Sequence, residues 1–201
     1  VKEPIVGTPP NLRAPIFEFF STILREGISV DLVLGNHDVG LVRHLPREVR
    51  VHPAEGLSRY GVGMFHGHRW PGEHLRGART LLAGHLHPGV RLAATGSGEG
   101  GKRPCWVRVR FPRQVRKNPA RGSGGGYAAQ ELVVLPPFNP IAGTEALNRE
   151  RPSRGRSFLY REFLCRGRRR AYLLDGTDLG DVLMTGPSPR PPAGGSARPG
   201  R

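Results

Sequence analysis

Three short polar segments in the first half of the chain contain the residue types that bind metal ions. They are residues 35–38 (Gly-Asn-His-Asp), residues 66–68 (His-Gly-His) and residues 84–87 (Gly-His-Leu-His). All eight histidines of the chain lie between His37 and His87. Imidazole nitrogens and an Asn carbonyl oxygen bind divalent cations without cancelling the positive charge that acidifies a bound water. The three segments therefore indicate metal-assisted chemistry.

Each polar segment directly follows an apolar, strand-like run. The runs are residues 31–34, 62–65 and 80–83. Open α/β sheets bind ligands just beyond the carboxyl ends of their strands, so we expect the three segments to meet at one edge of one sheet. Taken alone, residues 35–38 also fit an ordinary turn after a strand. A single structural metal site is another alternative, although structural zinc sites favour closely spaced cysteines, and Cys105 and Cys165 are far apart.

The order and separation of these motifs resemble the downstream half of the calcineurin-like metallophosphoesterases. The fit is closest to their small prokaryotic branch, some members of which are associated with DNA ligase. Residues 135–140 (Leu-Pro-Pro-Phe-Asn-Pro) and residues 143–148 are similar to the continuation of that branch. The resemblance covers residues 31–148 and depends on three ordered motifs.

The resemblance implies a site with two divalent metal ions, with Mn²⁺ expected first and Zn²⁺, Fe²⁺ or Ni²⁺ as alternatives. Two cations about 3.5–4 Å apart clamp a phosphate and lower the pKa of a bound water from 15.7 towards about 7. By motif, Asn36, His66 and His85 would hold one metal ion, and His87 would belong to the other.

The resemblance gives His37 a catalytic role instead of a metal-binding one. Its side chain would face the phosphate and assist the leaving oxygen, while Asp38 would hold its ring and raise its pKa. His68 is a weaker candidate for contact with the phosphate. The remaining histidines match no family motif and are expected on the surface or on a strand face: His44, His52 and His74.

The upstream half of the family pattern is missing from this chain. Family members begin with a strand ending in Asp-x-His and a second strand ending in Gly-Asp, whereas this chain starts at Val-Lys-Glu. We therefore expect a fragment cut just after the bridging aspartate, with little or no activity on its own. The pair Gly180-Asp181 comes after the other motifs and is interpreted as a turn. The rival hypothesis is a basic, nucleic-acid-binding remnant of the fold that is not an enzyme.

The order of strands and helices predicts a layered α/β domain over residues 1–186. The resemblance implies a sandwich of two mixed β-sheets flanked by helices. A helix is predicted over 11–26, ended by Gly27, with its phenylalanines packed in the core. The other predicted elements are short helices at 41–45 and 73–79, strands at 49–52, 106–111 and 131–135, and a hairpin of 157–164 with 171–174. Residues 112–127 are predicted to form a mobile loop and residues 187–201 a disordered tail.

The chain carries a large excess of positive charge. Its net charge is +15 and its pI is about 11.4, which favours binding to polyanions such as DNA or RNA. An arginine-rich solvated surface would give the same composition. Arginines crowd residues 149–170, and four of them are candidate nucleic-acid contacts: Arg166, Arg168, Arg169 and Arg170. Few aromatic residues are interleaved with them, so contact with phosphates without base specificity is expected.

The sequence contains no run of about twenty apolar residues and no charged-then-apolar leader, so we expect no membrane partner and a cytoplasmic location. Two cysteines are too few for a disulfide framework. Together these features predict a metal-dependent phosphoesterase that acts on phosphodiesters, with DNA or RNA among the candidate substrates.

Overall fold

A mixed sheet of nine strands dominates the computed structural model, which describes residues 8–38, 40–92, 101–112, 115–116, 126–148 and 158–181. The predicted α/β class is confirmed, with few helices and a sheet arrangement compatible with a sandwich. The strands are β1 (Asp31–Val33), β2 (Arg50–His52), β3 (Leu57–Arg59), β4 (Val62–Phe65), β5 (Thr80–Ala83), β6 (Pro88–Arg91), β7 (Lys102–Arg110), β8 (Val115–Arg116), β9 (Gly126–Tyr127), β10 (Glu131–Val134), β11 (Glu145–Ala146), β12 (Arg168–Leu173) and β13 (Asp178–Gly180). The helices are α1 (Pro10–Arg25) and α2 (Phe158–Glu162), with 3₁₀ turns at Val42–His44, Glu73–Leu75, Pro140–Ala142 and Leu164–Arg166.

The large sheet has the order β11-β6-β7-β10-β5-β4-β3, and β12 joins it by pairing with β7. Strand β5 is parallel to both of its neighbours, β4 and β10. The carboxyl ends of these three strands therefore lie at the same edge of the sheet. Strands β1 and β2 form a separate parallel pair, and β8 and β9 form a small antiparallel pair.

One face of the large sheet is apolar and buried. Alternate residues of β5, β7 and β10 point to this face, including Leu81, Val107 and Leu132. Helix α2 and the 3₁₀ turn after it cover the face with Leu159, Phe163 and Leu164, all fully buried. This burial is the main source of stability.

Helix α1 lies within one residue of its predicted bounds, and Gly27 ends it with a φ of +74°. The predicted core packing of its phenylalanines is wrong, because no residue of the helix is buried and Phe19 is 56% exposed. Apolar spacing indicated the helix, but it could not show what the apolar face packs against. No helix in the described part of the chain has the length and apolar character needed to cross a membrane.

The predicted hairpin of residues 157–164 with 171–174 is wrong. Residues 158–162 form α2, because Leu159 and Phe163 lie one helical turn apart and both enter the core. The observed hairpin is formed by β12 and β13. Residues 168–170 of the basic run 166–170 therefore lie in a strand instead of a loop. Two predicted helices are also shorter than expected: residues 41–45 and 73–79 each give only a three-residue 3₁₀ turn.

The predicted mobile loop at 112–127 is wrong at the residues that the structure describes. Val115–Arg116 pairs with Gly126–Tyr127, and Tyr127 is fully buried. Its hydroxyl donates a hydrogen bond of 2.6 Å to the Pro71 carbonyl, and its ring stacks on Trp70. A single aromatic side chain therefore anchors this segment. Residues 117–125 and the predicted tail at 187–201 lie outside the described residues.

Replacing Tyr127 by Phe should lower the free energy of unfolding by about 1–2 kcal/mol, because the buried Pro71 carbonyl loses its donor. Urea denaturation measures the change. Tyr60→Phe is the matched control, since Tyr60 is 97% exposed and its replacement should change stability by less than about 0.5 kcal/mol. Equal stability of the two variants would contradict the assigned role of the hydroxyl.

Candidate metal centre

The polar segments come together from two sheets, so the prediction that all three follow strands of one sheet is wrong: β1 pairs with β2 apart from the sheet that contains β4 and β5. The loop after β1 carries Asn36, and the end of β4 carries His66. Nε2 of His66 donates a hydrogen bond of 3.0 Å to Oδ1 of Asn36. Two ligand atoms at right angles about a cation, each about 2.1 Å from it, are separated by about 3.0 Å. The spacing of these two atoms therefore suits neighbouring ligands of one ion.

Three imidazole rings form what we call the imidazole cluster: His66, His68 and His85. Their ring centroids are 5.2 Å apart for His66 and His68, 5.0 Å for His66 and His85, and 5.9 Å for His68 and His85. The parallel register of β4 and β5 causes this, because it pairs Phe65 with Ala83 and places the following residues side by side.

The third polar segment adopts an unusual backbone conformation. His85 and His87 have φ values of +64° and +48°, in the left-handed region that residues other than glycine rarely occupy. Between them, Leu86 is buried and anchors the loop. Each such residue costs about 1–3 kcal/mol, and conformations of this kind cluster at functional sites. The strain supports a functional role for the two histidines.

Gly35 allows the first loop to approach the imidazole cluster. A Cβ atom at this position would lie 2.7 Å from Cε1 of His66 and 3.0 Å from Oδ2 of Asp38. The Asp38 carboxylate accepts a hydrogen bond of 2.5 Å from the Gly35 amide and so closes the turn. Among the described contacts, the hydrogen bond from the His37 ring to the Asp38 carboxylate that the resemblance implies is not formed.

Burial keeps the cluster neutral. Burial, together with the charges of His85 and His68, lowers the pKa of His66 to about 4. Burial is also the main cause of the lowered pKa values of His85 and His68. Neutral imidazoles have a lone pair available, which is the form that binds metal ions.

His68 belongs to the cluster, although the sequence indicated only a contact with phosphate. Its Nε2 accepts a hydrogen bond of 2.9 Å from the Arg69 guanidinium, which places the ring proton on Nδ1. Nδ1 is buried and has no hydrogen-bond partner among the described residues. The sequence places His68 in the His-Gly-His segment, but only the ring distances show that it packs with His66 and His85.

The donor set fits a divalent cation in chemistry, with imidazole nitrogens and one amide oxygen. The arrangement is incomplete: in the described part of the chain, no group of three or more His, Cys, Asp or Glu side chains is arranged to hold a metal ion. His37 and His87 are close enough for their charges to lower the pKa of His85. The structure thus brings Asn36, His66 and His85 together, with His37 and His87 nearby.

The other predicted residues lie elsewhere. His52 donates a hydrogen bond to Asp31, and His74 donates one to the Gly56 carbonyl. The four arginines of the basic run divide between two environments. Arg168 and Arg170 lie on the exposed face of β12. Arg169 lies on the other face, where it donates a hydrogen bond to the Leu164 carbonyl and pairs with Asp181. Arg166 pairs with Glu162.

Acid should destabilise the metal-free protein through the imidazole cluster. The pKa of His66 is lower in the folded state than in the unfolded one, so its stabilising effect is present above pH 6.5 and is lost as pH falls towards 4. After allowance for partial exposure, the loss is about 1–2 kcal/mol. Urea denaturation at pH 7 and pH 4.5 in EDTA measures it, and His66→Gln should reduce the difference. If His66→Gln loses as much stability between pH 7 and pH 4.5 as the parent chain does, the lowered pKa of His66 is contradicted.

Comparison of this chain with protein-family models, with curated proteins and with solved structures gave no match.

Proposed function

We propose that this chain carries the downstream half of a calcineurin-like metallophosphoesterase site and that the complete site hydrolyses phosphate esters, phosphodiesters first. The observation that carries the proposal is the meeting of Asn36 with the imidazole cluster at the carboxyl edge of parallel strands. Sheets of this type bind ligands at that edge. The ordered motifs of the sequence support the same conclusion.

In the proposed site, Asn36, His66 and His85 would hold one divalent cation, with Mn²⁺ the first candidate, and His87 would belong to a second. When bound, the two cations supply a clamp for the phosphate and an acidified water. The low pKa of His66 keeps its ring neutral near neutral pH, and a neutral imidazole is the form that binds metal ions. Gly35 keeps the loop close to that ring, since any Cβ at this position would collide with it.

His37 would face the substrate and donate a proton to the leaving oxygen. It follows Asn36 directly in the turn that Asp38 closes, so the turn holds the backbone of the two residues together. His68 would contribute a neutral donor, because Nδ1 carries a proton without a partner among the described residues. A phosphate oxygen is an acceptor suited to that proton.

The fold proposed for the complete protein is the two-sheet sandwich of this family. The nine-stranded sheet would be one layer and the β1-β2 pair would be part of the other. The site would then lie where the two layers meet, as the contact between Asn36 and His66 suggests.

The rival function is a basic nucleic-acid-binding protein without catalysis. It is favoured by the incomplete ligand group among the described residues and by the net charge of +15. The coding sequence just before Val1 discriminates the two. Asp-x-His followed by Gly-Asp would support the enzyme, while a stop codon or unrelated sequence would support the rival.

The experiment that tests the proposal is hydrolysis of bis-p-nitrophenyl phosphate and of p-nitrophenyl phosphate with added Mn²⁺. Both this chain and a version extended upstream are assayed, each with an EDTA control. We expect Mn²⁺-dependent turnover in the extended chain, faster on the diester. Absence of turnover in both chains would overturn the proposal.

A further inference from the structure

The exposed face of β7 and β12 carries a regular set of basic and aromatic side chains. The two strands pair antiparallel, and residues directly opposite each other in a pair share a face of the sheet. Three such pairs form what we call the arginine-aromatic ladder. Its rungs are Arg110 with Arg168, Arg108 with Arg170, and Trp106 with Tyr172.

The ladder faces solvent because the alternate residues face the core. Cys105, Val107 and Val109 of β7 are buried under α2, so the intervening side chains point outward. Trp106 is 39% exposed, so part of its ring is available for contact with a ligand. The rungs are every second residue, so the outer two lie about 13 Å apart along the strands.

The ladder has more guanidinium groups than carboxylates. Arg108 pairs with Glu131 at 2.7 Å, and Arg170 pairs with Asp178. Arg110 and Arg168 have no ion-pair partner in the part of the chain that the structure describes. Like charges directly opposite one another destabilise a sheet, so Arg110 and Arg168 repel each other, and Glu131, opposite Arg110 on β10, offsets only part of that repulsion. An anion bound between them would remove that repulsion.

Clefts flank the first rung on the molecular surface. A cleft of about 970 Å³ is lined by Arg108 and Arg110 together with Arg79. A second cleft of about 460 Å³ is lined by Arg110 and Arg168. Both clefts are lined by Arg110, so a linear polyanion could extend from one cleft to the other past Arg110 and Arg168.

We propose that the arginine-aromatic ladder binds single-stranded nucleic acid. Guanidinium groups bind phosphates in a bidentate way, and exposed aromatic rings stack on bases that are not paired. The exposed ion pairs at Arg108 and Arg170 are weak enough for phosphates to displace their carboxylates. An acidic peptide would pair with the arginines, but its carboxylates would not stack on Trp106 and Tyr172. The binding surface requires no metal and goes beyond the proposed hydrolysis.

Fluorescence anisotropy tests the ladder with a labelled twelve-nucleotide oligothymidine, the whole chain and EDTA in the buffer. Loss of two phosphate contacts in Arg110→Ser/Arg168→Ser should weaken binding roughly 20-fold at 0.1 M salt and reduce the slope of log affinity against log salt by about 1.4. The matched control is Arg43→Ser/Arg47→Ser, which removes the same charge from exposed positions elsewhere. It should change affinity by less than about threefold, because charges at a distance are screened.

The aromatic rung is tested separately. Trp106→Ala should weaken binding roughly fivefold or more, and Trp106→Phe should retain most of the affinity because it keeps a stacking surface. A duplex of the same length should be insensitive to either change. Equal losses in the two arginine variants, no effect of Trp106→Ala, or displacement of the oligonucleotide by polyglutamate as effectively as by unlabelled oligothymidine would overturn the proposal. None of these results depends on whether the protein hydrolyses phosphate esters.

Discussion

Replacing His85 by Ala should lower Mn²⁺-dependent hydrolysis of bis-p-nitrophenyl phosphate by at least about 100-fold. His85 is a proposed metal ligand, and its ring lies 5.0 Å from that of His66 at the carboxyl edge of β4 and β5. Changes to groups that only support a ligand already cost about 10–100-fold, so loss of a ligand should cost more. Steady-state kinetics on the version of the chain that is active measure the effect.

His44→Ala is the matched control, because His44 lies in a 3₁₀ turn outside the imidazole cluster. The φ of +64° at His85 adds strain for Ala, so His85→Asn is a second variant, since Asn tolerates this region better. Both His85 variants should be folded by circular dichroism and inactive. If the His85 variants turn over substrate as fast as His44→Ala, His85 is not a metal ligand.

Replacing Gly56 by Ala should destabilise the protein by about 3 kcal/mol or more. A Cβ atom there would lie 1.8 Å from the carbonyl oxygen of Met64 and 2.9 Å from the Cα of Phe65. Both are backbone atoms of β4, so relief requires the strand to move. The φ of +98° adds further strain for any residue with a side chain. Because β4 positions His66, loss of this packing should also disturb the candidate metal centre.

Gly61→Ala is the control that measures the cost of a positive φ without a steric clash. Gly61 has a φ of +77°, but a Cβ atom there would meet nothing within 4 Å. Its replacement should cost about 1 kcal/mol. Urea denaturation compares both variants with the parent chain. If Gly56→Ala is no less stable than Gly61→Ala, the close approach of Gly56 to β4 is not present in solution.

The elements around the candidate metal centre could be predicted because their signals are local. Strands β4 and β5 have the predicted bounds, since each is a short apolar run that a polar segment ends. The meeting of His66 with His85 follows from the rule that parallel strands share a carboxyl edge. The approach of Asn36 does not follow from it, because β1 belongs to a separate sheet.

Features that depend on tertiary contacts could not be predicted. Residues 157–164 look like a strand by composition, but they form α2 because Leu159 and Phe163 fill the core above the sheet. Tyr127 stabilises a segment that is otherwise typical of a loop through one hydrogen bond to Pro71. His68 completes the imidazole cluster because its ring packs with that of His85, which follows β5. In each case the deciding partner is distant in sequence.

The arginine-aromatic ladder illustrates the same limit. The sequence led us to expect few aromatic residues among the arginines, although Phe163 and Tyr172 flank the run of residues 166–170. Trp106 reaches the run only because β7 pairs with β12 in a register that places it opposite Tyr172. Register between distant strands depends on the whole sheet, so the expectation of contact with phosphates alone is revised to include stacking.

The most direct test of the central claim is nuclear magnetic resonance of the histidine rings during titration with Mn²⁺. A paramagnetic ion broadens the signals of nuclei near it, so substoichiometric Mn²⁺ reports where the ion binds. We predict that the rings of His66 and His85 broaden first, while those of His44, His52 and His74 stay sharp. Uniform broadening of all rings, or earlier broadening of the second group, would contradict a metal site at the imidazole cluster.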